Sequence, residues 1–369
     1  MNRWLRWGLV ALVIVVVLLA AGAYIVLRVP AVQDALFDRM ARAQLLRDRT
    51  AILKDDALRV FVCGSSSPMP DRHRAQACIG VVAGGKIYIV DTGSGSYRNL
   101  AAWGVPIQNI GAIFLTHFHS DHIGDLGEYN MNSWALGRPK PLDVYGPPGV
   151  ERVVAGFSEA YALDQTYRTA HHGAELMAPD TWKMIAHPIA LQGEPTPAKD
   201  RTAVAYDDGT LKVTAIEVNH APVEPAYGYR FDYKGRSVVI SGDTAAHEPL
   251  AKAAKDADVL FHEAQNQEMV KKLQTIANEA GNDRLTHILH DIQSYHSSPV
   301  EAAKLANEAN VKLVVFYHFT PPIPNMVAEA MFTRGVAEVR PDGWMMSHDG
   351  TMIELPIGSQ EVKTGSLAN

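Results

Sequence analysis

The sequence predicts an α/β fold in which helices cover β-sheet, preceded by a transmembrane helix at the N-terminus. Three observations support this prediction: short β-rich runs recur from Leu58 onward, helical patterns fall between several of them, and a long apolar segment comes first. A chain of 369 residues with 47% hydrophobic residues is long enough to bury the core of such a fold.

The N-terminal apolar segment runs from Leu9 to Leu27, which is 19 residues without a charge or a proline. A segment of this length can cross a bilayer. Arg3 and Arg6 precede it, so the positive-inside rule puts the N-terminus in the cytoplasm. The body of the protein is then expected in the periplasm or another extracytoplasmic space. We expect residues 1–28 to be a single-pass membrane anchor; a cleaved signal sequence is the alternative, because the segment contains a run of small residues, AAGA.

Three segments are expected to follow the anchor. Residues 29–56 are polar and rich in helix-forming residues, so we predict a helical linker. Residues 57–357 contain the strand and helix patterns of the main domain. Residues 358–369 are predicted to form a polar tail.

Local signals inside the main domain make further predictions. Ser298 and Glu301 have the spacing of a capping box at the start of a helix. The pair Asp349-Gly350 is typical of a turn, and it predicts a hairpin between the last two apolar runs. Cys63 and Cys78 could pair in an oxidising compartment, but their spacing favours two small core residues, and we assign them no chemistry.

A cluster of metal-binding side chains follows one of the apolar runs. His117, His119, Asp121 and His122 lie in the segment THFHSDH, directly after a predicted buried strand. Imidazole and carboxylate ligands suit zinc or a similar divalent ion. In an extended turn, His117 and His119 point toward one place, and Asp121 and His122 can point toward a second. The spacing therefore predicts that this segment supplies part of the ligands of each of two metal sites.

Two metal sites need more ligands, and open α/β sheets place their sites at the carboxyl ends of strands. Three residues meet this requirement. His220 ends one β-rich run, Asp243 ends the next, and His318 ends a third. Their repeated position after apolar runs predicts that they join the first cluster.

These motifs resemble those of the metallo-β-lactamase superfamily, and in particular its ribonuclease Z and arylsulfatase-like branch, over roughly residues 58–355. The matching segments are THFHSDH, DTGSGS, SGDT, YHFTPP, FHEA and YHSS. The resemblance implies an αββα metallo-β-lactamase sandwich. It also implies two Zn²⁺ ions, with Mn²⁺ or Fe as alternatives, and Asp91 as a residue that orients the ligand loop by hydrogen bonding.

The resemblance further implies a role for each motif residue. The implied ligands form two sets joined by a bridging carboxylate: His117, His119 and His220 for one ion, Asp121, His122 and His318 for the other, and Asp243 between them. A hydroxide generated at the metals is the expected nucleophile. His296 is the expected proton donor to the leaving group, oriented by Glu263. Structural roles at a helix start and a strand end are the alternatives for these last two residues.

The sequence analysis favours a membrane-anchored dinuclear zinc hydrolase of a small phospho- or sulfoester, with a β-lactam or a lactone as further substrates to consider. The alternative is a ribonuclease Z-like phosphodiesterase that processes tRNA 3′ ends. A net charge of −6, the short spacing from His220 to Asp243 and an exported body argue against a nucleic acid without excluding it. A non-hydrolytic di-iron or metal-binding protein is a third interpretation.

The stretch between His122 and His220 is rich in Tyr, Trp, Met and His. Such residues suit the wall of a pocket for a small ester. They equally suit a contact between copies of the chain in a homo-oligomer. The sequence leaves both interpretations open.

Overall fold

The structure is a computed structural model that describes residues 3–193, 195 and 199–367. The chain divides into two compact units, residues 1–51 and residues 52–369. The first unit contains helices α1 (Arg3–Arg28) and α2 (Pro30–Leu45). Helix α1 is long and apolar enough to cross a membrane by length and composition, and none of its residues is buried. Residues 1 and 2 of the predicted anchor lie outside the described residues.

The second unit contains strands that form two sheets. Within the described residues these strands are β1 (Ala57–Gly64), β2 (Cys78–Ala83), β3 (Lys86–Val90), β4 (Ile110–Phe114), β5 (Leu142–Gly146), β6 (Met184–Pro188), β7 (Thr202–Asp207), β8 (Leu211–Val218), β9 (Ala226–Tyr233), β10 (Arg236–Ile240), β11 (Val259–Gln265), β12 (Leu313–Thr320), β13 (Trp344–Met346), β14 (Thr351–Pro356) and β15 (Lys363–Ser366). The first sheet has the order β15-β14-β1-β2-β3-β4-β5-β6, and the second has the order β13-β12-β11-β10-β9-β8-β7.

Helices connect and cover the strands. Within the described residues they are α3 (Ser96–Trp103), α4 (Ser120–Ile123), α5 (Leu126–Ala135), α6 (Val150–His172), α7 (Pro179–Trp182), α8 (Glu248–Ala253), α9 (Gln267–Glu279), α10 (Asp283–Asp291), α11 (Pro299–Glu308), α12 (Met326–Phe332) and α13 (Val336–Val339). Ser298 and Glu301 form the predicted capping box at the start of α11, which is therefore confirmed. The sequence analysis did not predict α10.

Both sheets are mixed. In the first, β3, β4, β5 and β6 run parallel and the other pairs are antiparallel. In the second, β10, β11, β12 and β13 run parallel and β7 to β10 pair antiparallel. The carboxyl ends of parallel strands meet at one edge of each sheet, so the loops that follow β4, β10 and β12 carry side chains to that edge.

The apolar core has three layers that follow from this topology. One cluster fills the space between the two sheets and includes Phe114, Tyr229 and Phe231, all with no exposed surface. A second cluster lies between the second sheet and helices such as α8 and α11, and a third lies between the first sheet and helices such as α3 and α5. The result is the predicted α/β sandwich, with helices on both outer faces.

The closing strands do not form the predicted hairpin. Strand β13 pairs with β12 in the second sheet, whereas β14 pairs with β1 in the first. The prediction was wrong because Asp349 and Gly350 turn the chain from one sheet to the other: the Gly350 amide donates to the Val62 carbonyl, and Asp349 accepts from the Ser65 and Ala75 amides. Part of the predicted polar tail is also ordered, since β15 pairs with β14. Residues 368 and 369 of that tail lie outside the described residues.

The expectation for the two cysteines was wrong as well. Cys63 at the end of β1 and Cys78 at the start of β2 form a disulfide, with their Cα atoms 5.0 Å apart. The register of the β1–β2 pair shifts between Val62 and Gly64, where Gly64 lies opposite Cys78. Both cysteines are fully buried, so the bond is a covalent link inside the core of the first sheet.

Candidate metal centre

The residues predicted to bind metal lie at strand ends around one edge of the sandwich. His117 and His119 follow β4, and Asp121 and His122 belong to the short helix α4. His220 follows β8 and Asp243 follows β10. The structure brings these six residues and His318 into one cluster. Within each of several three-residue groups of the cluster, the potential ligand atoms lie within 4.8 Å of one another.

His318 reaches the cluster through an irregularity in β12. Glu263 of β11 lies opposite Tyr317, and the next residue, Ala264, lies opposite Phe319, so His318 is an extra residue in the ladder. Its φ angle is +52°, a left-handed conformation that few non-glycine residues adopt. A bulge of this kind turns a side chain away from the regular alternation. Asp91, which follows β3, has a similar φ angle of +61°.

The Asp243 carboxylate lies at the centre of the cluster. Its Oδ2 atom is 3.4 Å from Nε2 of both His122 and His318, 3.9 Å from Nε2 of His220 and 4.0 Å from Nε2 of His117. One carboxylate oxygen thus faces four imidazole nitrogens.

The remaining potential ligands form two groups. His117, His119 and His220 make one group of potential metal ligands, and Asp121, His122 and His318 make another. In the first, His117 Nε2 lies 2.9 Å from His119 Nδ1. In the second, Asp121 Oδ2 lies 3.2 Å from His318 Nε2 and 3.4 Å from His122 Nε2. The resemblance implies the same two groups as metal ligands, and their role as ligands stays a prediction.

Hydrogen bonds fix which nitrogen of two histidines faces the cluster. His122 Nδ1 lies 2.8 Å from Asp91 Oδ2, and His220 Nδ1 lies 3.1 Å from the Tyr295 carbonyl oxygen. Asp91 is itself held by the backbone amide and the hydroxyl of Thr116, each at 2.8 Å. A histidine that donates one N–H to the protein presents its other nitrogen as a metal ligand. Asp91 therefore has the orienting position that the resemblance implied.

The buried atoms of the cluster fit a bound cation. Among the described residues, His122 Nε2, His220 Nε2 and Asp243 Oδ1 are buried and receive no hydrogen bond. A buried polar atom without a partner costs free energy, and a metal ion supplies the missing interaction. Imidazole and carboxylate are the ligands that zinc takes in proteins. The His/Asp cluster is thus consistent with a dinuclear metal site.

The charges around the cluster agree with this interpretation. Burial lowers the pKa of His117 well below its usual value and lowers the pKa of His220 to about 4. Both imidazoles are therefore neutral near pH 7, which is the form that binds metal. Burial acts in the same direction on His122, but the carboxylates around it, led by Asp243, raise the pKa of His122 well above its usual value. The buried carboxylates of Asp243, Asp121 and Asp91 thus favour the binding of a cation at the cluster.

His296 and Glu263 meet next to the cluster. His296 Nδ1 lies 3.0 Å from Glu263 Oε1. The same oxygen accepts hydrogen bonds from the backbone amides of Thr244 and Ser297, each at 3.1 Å. Glu263 has no exposed surface. Burial alone would lower the pKa of His296, but the charge and the hydrogen bond of Glu263 outweigh this effect. The pKa of His296 is therefore raised above its usual value. Glu263 therefore favours the protonated form of the His296 ring, which lines a cavity together with Asp243.

Two cavities adjoin the cluster, and the sequence analysis did not predict the α10 residues that line the first of them. The first has a volume of about 500 Å³ and lies between the predicted ligands and the helix α10. The second has a volume of about 480 Å³ and shares His119 and Tyr295 with the first. None of the described residues between His122 and His220 lines either cavity, and Trp134 and Trp182 pack against each other in a cluster of their own.

Known proteins with related sequences support the same assignment. A family described as the β-lactamase superfamily domain matches residues 87–319. Ribonuclease Z of Mycolicibacterium paratuberculosis is 36% identical over 269 residues, which cover 72% of this chain and 87% of that protein. Ribonuclease Z of Mycobacterium bovis is 35% identical over the same shares of both chains.

Solved structures support the fold. The crystal structure of human tRNase Z, short form, has a TM-score of 0.57 to this chain at 20% identity, covering 81% of this chain and 100% of the human chain. The family match and the relatives agree with the geometry of the cluster, and the protein is accordingly a metal-dependent hydrolase that acts on ester bonds. The chain belongs to the metallo-β-lactamase superfamily, in the branch that contains ribonuclease Z.

Proposed function

We propose that this protein is a dinuclear zinc phosphodiesterase with the chemistry of ribonuclease Z. The observation that carries the proposal is the position of Asp243, whose Oδ2 lies within 4.0 Å of four imidazole nitrogens that belong to two groups of potential ligands. The relatives support the ribonuclease Z-like alternative better than the small-ester interpretation that the sequence analysis preferred.

The proposed ligands are those of the two sets. His117, His119 and His220 would hold one zinc ion, Asp121, His122 and His318 would hold the other, and Asp243 would contact both. Two bound zinc ions supply Lewis acidity that activates water near neutral pH and stabilises the charge of a phosphoryl group in an in-line displacement. Because Mn²⁺ and Fe accept the same ligands, metal analysis of the purified protein must accompany any activity assay.

The proposed proton donor is His296. Its Nδ1 is held by Glu263, so Nε2 is the atom that can donate a proton to the departing oxygen. Glu263 is a positioning residue, since its carboxylate is fixed by two backbone amides and it acts on the substrate only through His296. Its negative charge keeps the proton on the ring, as the raised pKa of His296 indicates.

Two substrate classes fit this chemistry. An RNA phosphodiester is the first, because the relatives are named ribonuclease Z. A small phosphodiester is the second. It is favoured by the cavities beside the cluster: among the residues that the structure describes, neither is lined by a lysine or an arginine, on which RNA binding depends.

We also propose that the hydrolase unit faces an extracytoplasmic space, with the segment of α1 as a membrane anchor or as a cleaved signal sequence. The disulfide between Cys63 and Cys78 supports this proposal, because disulfides persist in oxidising compartments and are rare in the cytosol. A protease-protection assay on intact cells tests it. Protection from external protease after the outer permeability barrier is opened would contradict it.

Hydrolysis assays on the zinc-loaded protein test the proposed function. The substrates are a tRNA precursor, bis(p-nitrophenyl) phosphate, p-nitrophenyl sulfate and a chromogenic cephalosporin. We expect hydrolysis of phosphodiesters above the other two classes, and we expect Asp243→Ala to abolish it. Faster hydrolysis of the sulfate ester or of the cephalosporin would overturn the proposal, and binding of iron with no hydrolysis of any substrate would favour a redox role.

A further inference from the structure

The cavity beside the predicted metal centre has an apolar wall that the proposed chemistry does not use. The cavity is lined by His119, Asp121, Asp243 and His296. It is also lined by apolar side chains from the loop after β1 and from α10 and the turn that follows it: Met69, Leu285, Ile288, Leu289 and Ile292. A polar reaction centre and a hydrophobic surface therefore share one cavity of about 500 Å³.

The spacing along α10 explains how this wall forms. Residues 285, 288, 289 and 292 lie at intervals of three and four, so they share one face of the helix. Leu289 is buried in a small cluster with Val270 and Ala277 of α9. Leu285 and Ile288 stay 40% and 46% exposed, although they are apolar and lie on the same face. Packing between α9 and α10 thus leaves these two side chains available to a molecule in the cavity.

The charges around the cavity restrict what that molecule can be. Across residues 3–193, 195 and 199–367, no lysine or arginine lines this cavity or the second one beside the cluster, and the second one contains the carboxylate of Asp291. A substrate with many phosphates would bring negative charges that find no basic partner here. A substrate with a single phosphodiester would bring one negative charge, which the metal centre can receive.

We propose that the substrate is a phosphodiester with one apolar substituent, an alkyl chain or an aromatic ring, that lies against Leu285 and Ile288 while the phosphoryl group lies at the metal centre. This inference rests on the proposed phosphodiesterase function and names its substrate class. Water is the co-reactant: its oxygen forms a new P–O bond, the P–O bond to the leaving group breaks, and the departing oxygen takes a proton.

The experiment compares diesters that share one leaving group. Zinc-loaded protein is assayed with p-nitrophenyl phosphodiesters whose second substituent is methyl, octyl or phenyl. A buried methylene changes affinity about fourfold, so we expect kcat/KM for the octyl or the phenyl diester to exceed that for the methyl diester by about tenfold or more. A larger value for octyl than for phenyl assigns an alkyl chain, and the reverse assigns an aromatic ring.

Variants locate the effect on α10. In the double variant Leu285→Ser, Ile288→Ser, the preference over the methyl diester should fall toward one. Ile276→Ser is the matched control, because Ile276 is an apolar side chain of α9 that is 59% exposed and lines neither cavity. Far-UV circular dichroism checks that each variant is folded. Equal kcat/KM values for the three diesters, or an unchanged preference in the double variant, would overturn the inference.

A binding measurement separates this inference from the proposed function. Calorimetric titration of the zinc-loaded protein with methylphosphonate and octylphosphonate needs no turnover. Octylphosphonate should bind about tenfold or more tightly than methylphosphonate, and the difference should shrink in the double variant. If no diester is hydrolysed, the proposed function fails, and equal binding of the two phosphonates would then reject the apolar subsite as well. Efficient cleavage of a tRNA precursor with no preference among the substituents would assign RNA instead.

Discussion

Replacing His296 with alanine is expected to slow hydrolysis strongly when the leaving group is an alkoxide and weakly when it is p-nitrophenolate. An alkoxide is a poor leaving group that needs a proton as the P–O bond breaks, whereas p-nitrophenolate departs without one. The ring of His296 is positioned for this transfer, since its Nδ1 is held by Glu263 at 3.0 Å and the ring lines the cavity beside Asp243.

The size of the expected effect follows from the role proposed for each residue. General acid catalysis contributes about 10²- to 10⁴-fold, so His296→Ala should lower kcat by this amount for an alkoxide leaving group. Glu263→Gln keeps the size of the side chain and removes its charge. A hydrogen bond to a charged group contributes about 1.5–3 kcal/mol, so this variant should lower kcat about 10- to 100-fold for the same substrate.

The assay compares two diesters of methyl phosphate, one with a p-nitrophenyl and one with an alkyl leaving group, and it separates kcat from KM. His287→Ala is the matched control, because His287 is an exposed histidine of α10 that lines neither cavity. Metal content is measured for each variant and should stay at the wild-type value in His296→Ala and Glu263→Gln. An equal loss of kcat with both leaving groups, or no loss with either, would refute the role of His296 as proton donor.

Three further perturbations test other parts of the account. Asp243→Ala should lose bound metal and turnover together in mass spectrometric metal analysis and reporter assays; retention of both ions would exclude it as the bridging ligand. Burial alone would raise the pKa of Asp258, but Lys312 and the other hydrogen-bond donors of Asp258 hold this pKa below its usual value. The Asp258 carboxylate therefore stabilises the folded protein at neutral pH. It loses that contribution as the pH falls through the pKa of Asp258 in the folded state. Asp258→Asn should therefore cost about 3 kcal/mol in urea unfolding at pH 7 and less below about pH 4, and a cost independent of pH would contradict this. Replacing Cys63 and Cys78 with serine opens a link of sequence separation 15 and should lower the unfolding free energy by about 3 kcal/mol, whereas equal stability with and without the disulfide would argue that the bond is absent.

The architecture could be predicted because local signals and global constraints agree. The β-rich runs before His220 and Asp243 are buried strands, and the carboxyl ends of such strands meet at one edge of a sheet. Positions alone were therefore enough to expect these side chains near His117. The bulge that turns His318 toward the cluster could not be predicted, because it appears only when β12 pairs with β11.

Other features depend on contacts between distant segments. The turn at Asp349 and Gly350 would suit a hairpin between β13 and β14. Instead, β13 pairs with β12 and therefore belongs to the second sheet. The disulfide depends on the pairing of β1 with β2, which brings Cys63 and Cys78 together and which the spacing of the cysteines does not reveal. In the same way, the apolar positions of α10 are visible in the sequence, but their place opposite the metal-binding residues follows from the packing of α10 on α9.

Titration of the metal-free protein with zinc, with hydrolysis of a phosphodiester reporter followed in parallel, tests the central claim most directly. The claim is that seven histidine and aspartate side chains bind a pair of ions that make the protein a hydrolase. It predicts that the protein binds two equivalents of zinc and that the rate reaches its maximum when the second is bound. Full activity in the metal-free protein, or a protein that binds no divalent ion, would contradict it.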